Sequence, residues 1–190
     1  MLSADGGAVA PRPAKGLGAL RFSVVIPLYN KRRYIGRAVN SVLAQTHDEF
    51  ELIVVDDGSP DGSAELVRKV GDPRLRLIVQ DNGGEAAARN GGIRAAVGSH
   101  IAFLDADDSW KPNFLAVMRS LIAAHPGAAI YATNYETVDD GSIVLGLDGA
   151  GRFVDRDGRL DYASALAHSC FPLTSSSICV PAHMFDAVGM

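Results

Sequence analysis

The chain has 190 residues, 47% hydrophobic and 21% charged, a balance that suits one globular domain with a sizeable core and argues against a disordered or fibrous chain. Its net charge of -4 leaves no overall basic footprint for nucleic acid, although Arg32, Arg33 and Arg37 form a local positive group. No run of about 18 apolar residues offers a membrane span, and no repeat with a period of roughly 20 to 50 residues is present.

The first twenty residues, MLSADGGAVAPRPAKGLGAL, are rich in Gly, Ala and Pro and lack the unbroken apolar core of a secretory signal. They read as a flexible tail preceding a domain over 21–190. From Phe22 onward, FSVVIP (22–27), FELIVV (50–55), RLRLIVQ (74–80) and HIAFL (100–104) read as strands, with helical periodicity over 34–45, 63–70 and 85–97. Near-continuous apolar strands alternating with helices predict an α/β domain whose mostly parallel sheet is covered on both faces. Three alanines in AAARNGG allow the third helix to approach the sheet, and Gly91 and Gly92 imply close packing or an early helix end. Pro112 suits the first position of a helix running to Ala124.

Beyond His125 the alternation weakens. AAIYATNYETV and IVLGL read as extended segments joined by a turn at Asp139-Asp140-Gly141-Ser142. SSSICVP (175–181) reads as a further strand, followed by a short helix from Ala182. Cys170 and Cys179 are too few for a disulfide framework and suit a reducing cytoplasm; His168 beside Cys170 lacks the further partners a metal site needs.

The informative pattern is positional. Each of the first four strands runs into a polar cluster: Pro27-Leu28-Tyr29-Asn30, Asp56-Asp57-Gly58-Ser59, Asp81-Asn82-Gly83-Gly84 and Asp105-Ala106-Asp107-Asp108. In an open parallel sheet these carboxyl ends share one edge, where ligands bind. Carboxylates and amides there suit ribose hydroxyls and a base edge. Asp56 is the stronger candidate for ligand contact and Asp57 is open between ligand and turn, while Pro60 to Ser63 read as a turn with Asp61 or Ser63 capping the next helix.

IAFLDADDSW raises the sharpest question, because two unit charges about 5 Å apart repel by roughly 3 kcal/mol at an effective dielectric near 20. On an extended backbone Asp105 and Asp107 share a face, and a hard divalent ion, magnesium or manganese, would neutralise them while holding ligand phosphates. The alternative has Asp108 and Ser109 capping the following helix and the other carboxylates solvated. Arg89 either reaches a diphosphate or makes an ordinary ion pair. Trp110 reads as a packing anchor at the edge of the site rather than a sugar platform.

In their order and spacing SVVIPLYN, ELIVVDDGSPDGS, NGGEAAARNGGI and IAFLDADDSW resemble the nucleotide-sugar domain of family 2 inverting glycosyltransferases with the GT-A fold. The likeness is close over 22–115 and looser afterwards, through NYETVDDGS and LTSSSICV. It implies a GT-A, Rossmann-like fold in which Pro27, Tyr29 and Asn30 line the nucleoside pocket and Asp56, with Asp57 beside it, recognises the base, usually uracil. By the same matching Arg89 lies near the nucleotide, Asp105 near the ribose or the metal with Ala106 next to it, and Asp107 on Mn2+ or Mg2+. The implied reaction moves a sugar, with inversion, from a nucleotide-diphosphate donor to a carbohydrate, lipid or other hydroxyl acceptor. Cell-envelope polysaccharide synthesis in the cytoplasm, at the inner face of the membrane, is the setting this suggests.

Inverting transfer also needs a general base near the acceptor hydroxyl. In similar proteins it follows a Gly-Phe-Asp stretch, and this chain ends at FDAVGM, where that stretch would begin. The base is therefore expected beyond Met190, and the chain reads as the donor-binding portion of a longer enzyme; Asp148, Asp155, Asp161 and Asp186 match no such motif. A non-catalytic nucleotide-sugar-binding module is the main alternative. A receiver domain would want an acidic pair after the first strand, and a nucleotidyltransferase a Gly-rich loop there; PLYN is neither.

Overall fold

A computed structural model describes residues 20–139, 142–146 and 174–187. Two of its strands are apolar enough to be buried along their whole length, β1 (Phe22–Leu28) and β2 (Phe50–Asp56), and they pair in parallel from Phe22↔Phe50 to Leu28↔Asp56. β3 (Leu75–Val79) extends the sheet beyond β2, and β4 (His100–Phe103) pairs in parallel on the other side of β1. Between them run α1 (Ile35–Leu43), α2 (Ser63–Arg68) and α3 (Glu85–Ala95). α4 (Phe114–Ala124) follows β4, then come β5 (Tyr131–Ala132), β6 (Glu136–Asp139), β7 (Ser142–Gly146), a single 3₁₀ turn (Ser175–Ser177), β8 (Ile178–Pro181) and α5 (His183–Ala187).

The sheet order β3-β2-β1-β4-β8-β5 is parallel over its first four strands and antiparallel where β8 joins β4 and β5. Helices cover both faces, as the alternation predicts. On one face Ile35, Ala38, Val39 and Val42 of α1 and Leu115 and Met118 of α4 bury against Val24, Ile26, Leu52 and Val54. On the other, Ala88 and Ile93 of α3 meet Val25, Ile53, Val55 and Ile101. Each fully buried Val, Leu or Ile contributes roughly 1.5–3 kcal/mol.

Pro27 lies near the end of a central strand, a position that normally excludes proline. Alternation explains it. The Val25 carbonyl accepts from Leu104 N–H at 3.1 Å on the β4 side, and the Leu28 carbonyl from Asp57 N–H at 2.8 Å on the β2 side. Pro27 therefore directs its backbone toward β4, but the β1–β4 ladder stops at Val25↔Phe103. No ladder hydrogen bond is lost, and the two strands part there.

α3 approaches the sheet through Ala88 and Gly92, not through all three alanines. Of these only Ala88 is buried, and a Cβ on Gly92 would meet Val25 Cγ1 at 2.3 Å. At the opposite edge of the sheet Glu51, 4% exposed, accepts from Ser23 Oγ at 2.6 Å, Val97 N–H at 2.7 Å and Arg76 Nη1 at 3.1 Å. This satisfied carboxylate fixes the turn into β4 and was hidden within an apolar run.

Other expectations are corrected. Pro112 precedes the helix: α4 starts at Phe114, and Gln45 Oε1 accepts from Leu115 N–H at 2.9 Å, doing the work of a cap. The AAIYATNYETV segment splits, β5 joining the main sheet and β6 pairing with β7 in a separate antiparallel ribbon. Ser175–Ser177 form the 3₁₀ turn because Thr174 and Ser177 make a reciprocal capping box, which leaves β8 to begin at Ile178. Residues 1–19, the turn residues Asp140 and Gly141, and Asp148, Asp155, Asp161, His168 and Cys170 lie outside the described residues. Cys179 is buried, and burial pushes its thiol pKa up. Among the described residues no helix is long and apolar enough to cross a membrane.

Two consequences for stability follow. Gly92→Ala should destabilise by about 1–3 kcal/mol through overpacking, despite gaining about 1 kcal/mol of helix propensity, whereas Gly36→Ala, with nothing within 4 Å of its added Cβ, should be neutral or mildly stabilising; urea titration checks both. His100, at 6.3 Å from the Phe22 ring and 5.9 Å from Tyr131, is pushed down to about 4 by burial and then by His183. The unfolded chain binds that proton more readily, so stability should be complete above about pH 6.5 and fall as pH drops toward about 4. His100→Phe should flatten that part of the profile.

Candidate nucleotide-binding site

Four loops leave the carboxyl ends of β1 to β4 on one rim, and hydrogen bonds tie them into a closed ring. Asn30, the one described non-glycine residue at positive φ, 54°, donates its backbone N–H to Ser59 Oγ at 3.2 Å, joining the first loop to the second. Arg32 strengthens that join, its N–H reaching Asp61 Oδ2 at 2.9 Å and its Nη1 the Asp61 and Gly62 carbonyls at 3.1 and 3.0 Å. Asp57 joins the second loop to the third. Its carboxylate, 2% exposed, accepts from Gly83 N–H at 3.0 Å, Gly84 N–H at 2.7 Å and Gln80 Nε2 at 2.7 Å. Arg89 Nη2 of α3 donates to Asp105 Oδ1 at 2.7 Å, and Lys31 Nζ donates to Asp107 Oδ2 at 2.5 Å, closing the fourth loop onto the first.

The two adjacent aspartates after β2 thus have different surroundings. Asp57 is consumed by the neighbouring loop. Burial pushes its pKa upward, and the amides of Gly83 and Gly84 with Gln80 together outweigh burial, so the carboxyl sits below its ordinary range. Asp56 is 3% exposed, and its Oδ1 is buried with no hydrogen-bond partner. A buried carboxylate oxygen without a donor is costly, and such atoms mark places where a ligand supplies the missing partner. Arg89 repeats the pattern: its Nη2 pairs with Glu85 and Asp105, and its Nε is buried without a partner.

Asp105 and Asp107 do not share an extended face. The chain turns there, Asp108 N–H donating to the Asp105 carbonyl at 3.0 Å, so the carboxylates meet different neighbours. Asp105 is fully engaged: Arg89 takes Oδ1, Ser175 Oγ donates to Oδ2 at 2.6 Å, and Ser176 Oγ accepts its backbone N–H at 3.0 Å. Asp107 meets Lys31, and its carbonyl accepts from Arg37 Nη2. The Lys31 hydrogen bond is the main reason its carboxyl lies below the usual range, and the same contact raises Lys31. The repulsion anticipated for this run is thus relieved by two cations of the chain itself.

Of the other predicted residues, Pro27 and Ala106 are buried, while Tyr29 is 46% exposed at the rim. Asp108 and Ser109 do not cap α4, whose N-cap is Asn113. Asp61 does hold the start of α2, accepting from Ser63 N–H at 3.0 Å. Trp110 is a packing anchor, stacked on Phe114 at 3.9 Å and donating Nε1 to the Ser176 carbonyl at 2.7 Å. A hollow of about 300 Å³ is lined by Asn30, Arg32, Arg33, Tyr34 and Asp61.

Sequence reasoning missed Lys31, Ser175 and Ser176. Lys31 follows the Asn30 cluster but is 76 positions from its partner, and the serines read as strand.

Among the described residues no three His, Cys, Asp or Glu side chains gather to hold a metal. The donor set still fits a hard divalent ion of the kind held by one or two carboxylates plus ligand phosphates, with Asp107, half-exposed and paired through Oδ2 with Lys31, as the available oxygen ligand.

Comparison with known proteins points the same way. The model of a family described as Glycosyl transferase family 2 matches residues 23–179. An Escherichia coli protein named UDP-Glc:alpha-D-GlcNAc-diphosphoundecaprenol beta-1,3-glucosyltransferase WfgD is 37% identical over 133 residues, covering 70% of this chain and 50% of that protein. The S. aureus TarS fragment 1–349, solved with UDP-GlcNAc, superposes with a TM-score of 0.61 at 28% identity over 68% of this chain and 38% of that one. A Pyrobaculum calidifontis mannosyltransferase, solved with GDP-Man and Mn2+, superposes with a TM-score of 0.66 at 22% identity over 89% of this chain and 46% of that one, a likeness of fold. The sheet and its neighbours establish the GT-A fold. The chain spans half or less of each of these proteins, and 15% to 31% of three uncharacterised glycosyltransferases from Nostoc and Rickettsia that it also matches.

Asp57→Asn should cost about 1–3 kcal/mol, because an amide presents one of its two donors to the Gly83 and Gly84 N–H groups. Since the folded carboxyl is depressed, that stability is present above about pH 4 and is lost as pH falls further; acid titration of wild type and variant by circular dichroism should converge at low pH.

Proposed function

Starting from the fact that this chain belongs to glycosyl transferase family 2, we propose that it binds a nucleotide-diphosphate sugar, with uridine the favoured nucleoside, and serves transfer of that sugar to an acceptor hydroxyl. The observation that carries this is the partnerless buried oxygen of Asp56 at the carboxyl end of β2, on the same rim as the point where the β1–β4 ladder stops. An acceptor-only group in a dry crevice calls for an N–H donor, and the imide edge of uracil offers one. The name of the E. coli relative and the UDP-GlcNAc complex of TarS support the same nucleoside.

On this reading Pro27, Tyr29 and Asn30 flank the nucleoside, and Asp57 positions the loop that follows β3. Arg89 has an unused Nε for the diphosphate and carries Asp105 toward the ribose or the metal, with Ala106 behind it. Asp107 would hold Mn2+ or Mg2+, and an ion bound there would supply positive charge near the departing diphosphate. Arg89 adds charge at the same place. Inversion by single displacement requires a base, and no described residue is assigned that role. The acceptor is a carbohydrate, a lipid or another hydroxyl compound.

A thermal-shift series with UDP, GDP and dTDP, each with and without Mn2+, tests the proposal. UDP with Mn2+ should raise Tm by several degrees, since saturation at about 100 times Kd adds about 2.7 kcal/mol. Asp56→Ala, which removes the acceptor, should lose the UDP shift and Asp107→Ala its Mn2+ dependence, both with unchanged circular dichroism. A UDP shift that survives Asp56→Ala would contradict the assignment of the base pocket.

A further inference from the structure

The acidic run after β4 carries its own cation. Lys31 Nζ lies 2.5 Å from Asp107 Oδ2, and both side chains are 40% exposed, so the contact is screened by water and opens readily. The backbone on either side is fixed independently. The Lys31 carbonyl accepts from Tyr34 and Ile35 N–H, both at 2.9 Å, which anchors it in the turn that leads into α1, and Arg37 holds the Asp107 carbonyl. The four-carbon stem of Lys31 can therefore swing while both loops stay in place. Asp105, the other carboxylate of the Asp-x-Asp pair, has both oxygens taken, by Arg89 and Ser175. A divalent ion that binds Asp107 meets an ammonium group already seated on Oδ2 of that carboxylate.

We propose that Lys31 is a displaceable counter-ion: without donor it occupies the Asp107 oxygen that a divalent cation takes, and when cation and nucleotide arrive together it passes to the diphosphate. This rests on the assignment of Asp107 as the cation's ligand. Its consequence is coupling. The ion alone must evict Lys31 with nothing to offer it, whereas the diphosphate gives Lys31 new oxygen partners and gives the ion further ligands. Each of the two therefore tightens the binding of the other, by the same factor. Lys31 acts as a positioning and charge-transfer residue of the site, and an uncharged side chain there would leave the ion free access while weakening the hold on the nucleotide.

The test is Mn2+ binding to the full 190-residue chain, followed by electron paramagnetic resonance with and without UDP, in wild type, Lys31→Met and Asp107→Asn. Methionine keeps an unbranched apolar stem of four heavy atoms and removes the ammonium group. Lys31→Met should bind Mn2+ alone about fivefold tighter than wild type and bind UDP at saturating Mn2+ more weakly by a similar factor, a pattern expected of a removed competitor. A Lys31→Met protein of native circular dichroism whose Mn2+ affinity equals that of wild type, or falls, overturns the inference. Asp107→Asn separates the two claims: if it keeps wild-type Mn2+ affinity, the assignment of Asp107 itself is wrong, whereas its loss of Mn2+ beside an unchanged Lys31→Met shows that the ligand is right and Lys31 is not its competitor.

Discussion

The parting of β1 from β4 is the constraint on which the site depends. Up to Val25↔Phe103 the two strands form an ordinary parallel ladder; beyond it Pro27 has no N–H to offer and β4 turns away. Because β2 and β3 lie on one side of β1 and β4 on the other, this is also where the strand order reverses, the position at which open α/β sheets leave a crevice. The proline thus ends the pairing at the level where a ligand enters. Burial of β1 and β2 on both faces holds the crevice rigid, since the helices on either side are packed against continuous apolar runs.

Charge is balanced around that crevice without help from outside. Asp57 is neutralised in effect by amide donors, Asp105 by Arg89 and two serines, and Asp107 by Lys31. What stays unbalanced is small and specific: one oxygen of Asp56 and one nitrogen of Arg89. Among the buried side-chain atoms of the rim these two stand out as acceptor and donor left for a ligand that carries both an N–H edge and anionic oxygens. A nucleoside diphosphate has that combination.

Much of the fold was legible because its first four strands are near-continuous apolar runs and its helices have clear period, and the shared edge follows from parallel topology alone. The site was legible to the level of which loops, and less so to which atoms. Order along the strand ranks Asp56 ahead of Asp57, but the physical difference between them comes from the loop at Gly83 and Gly84, which takes up the Asp57 carboxylate. The extended backbone expected at Asp105 to Asp107 gave way to a turn, which sends the two carboxylates to partners on α3 and on the first loop. Those partners, with Ser175 and Ser176, come from 16 to 76 residues away, and no local pattern announces contacts of that range. Pro112 illustrates a different failure, in which a tertiary contact, Gln45 against the start of α4, overrode a sound local preference.

Hydrogen–deuterium exchange with and without UDP and Mn2+ tests the convergence of the four loops most directly. The account predicts that added ligand protects amides in 28–34, 56–62, 80–89 and 104–111 together, while segments at the opposite edge, around Glu51 and 96–100, keep their exchange rates. Protection confined to a single loop, or appearing at the opposite edge instead, would contradict it.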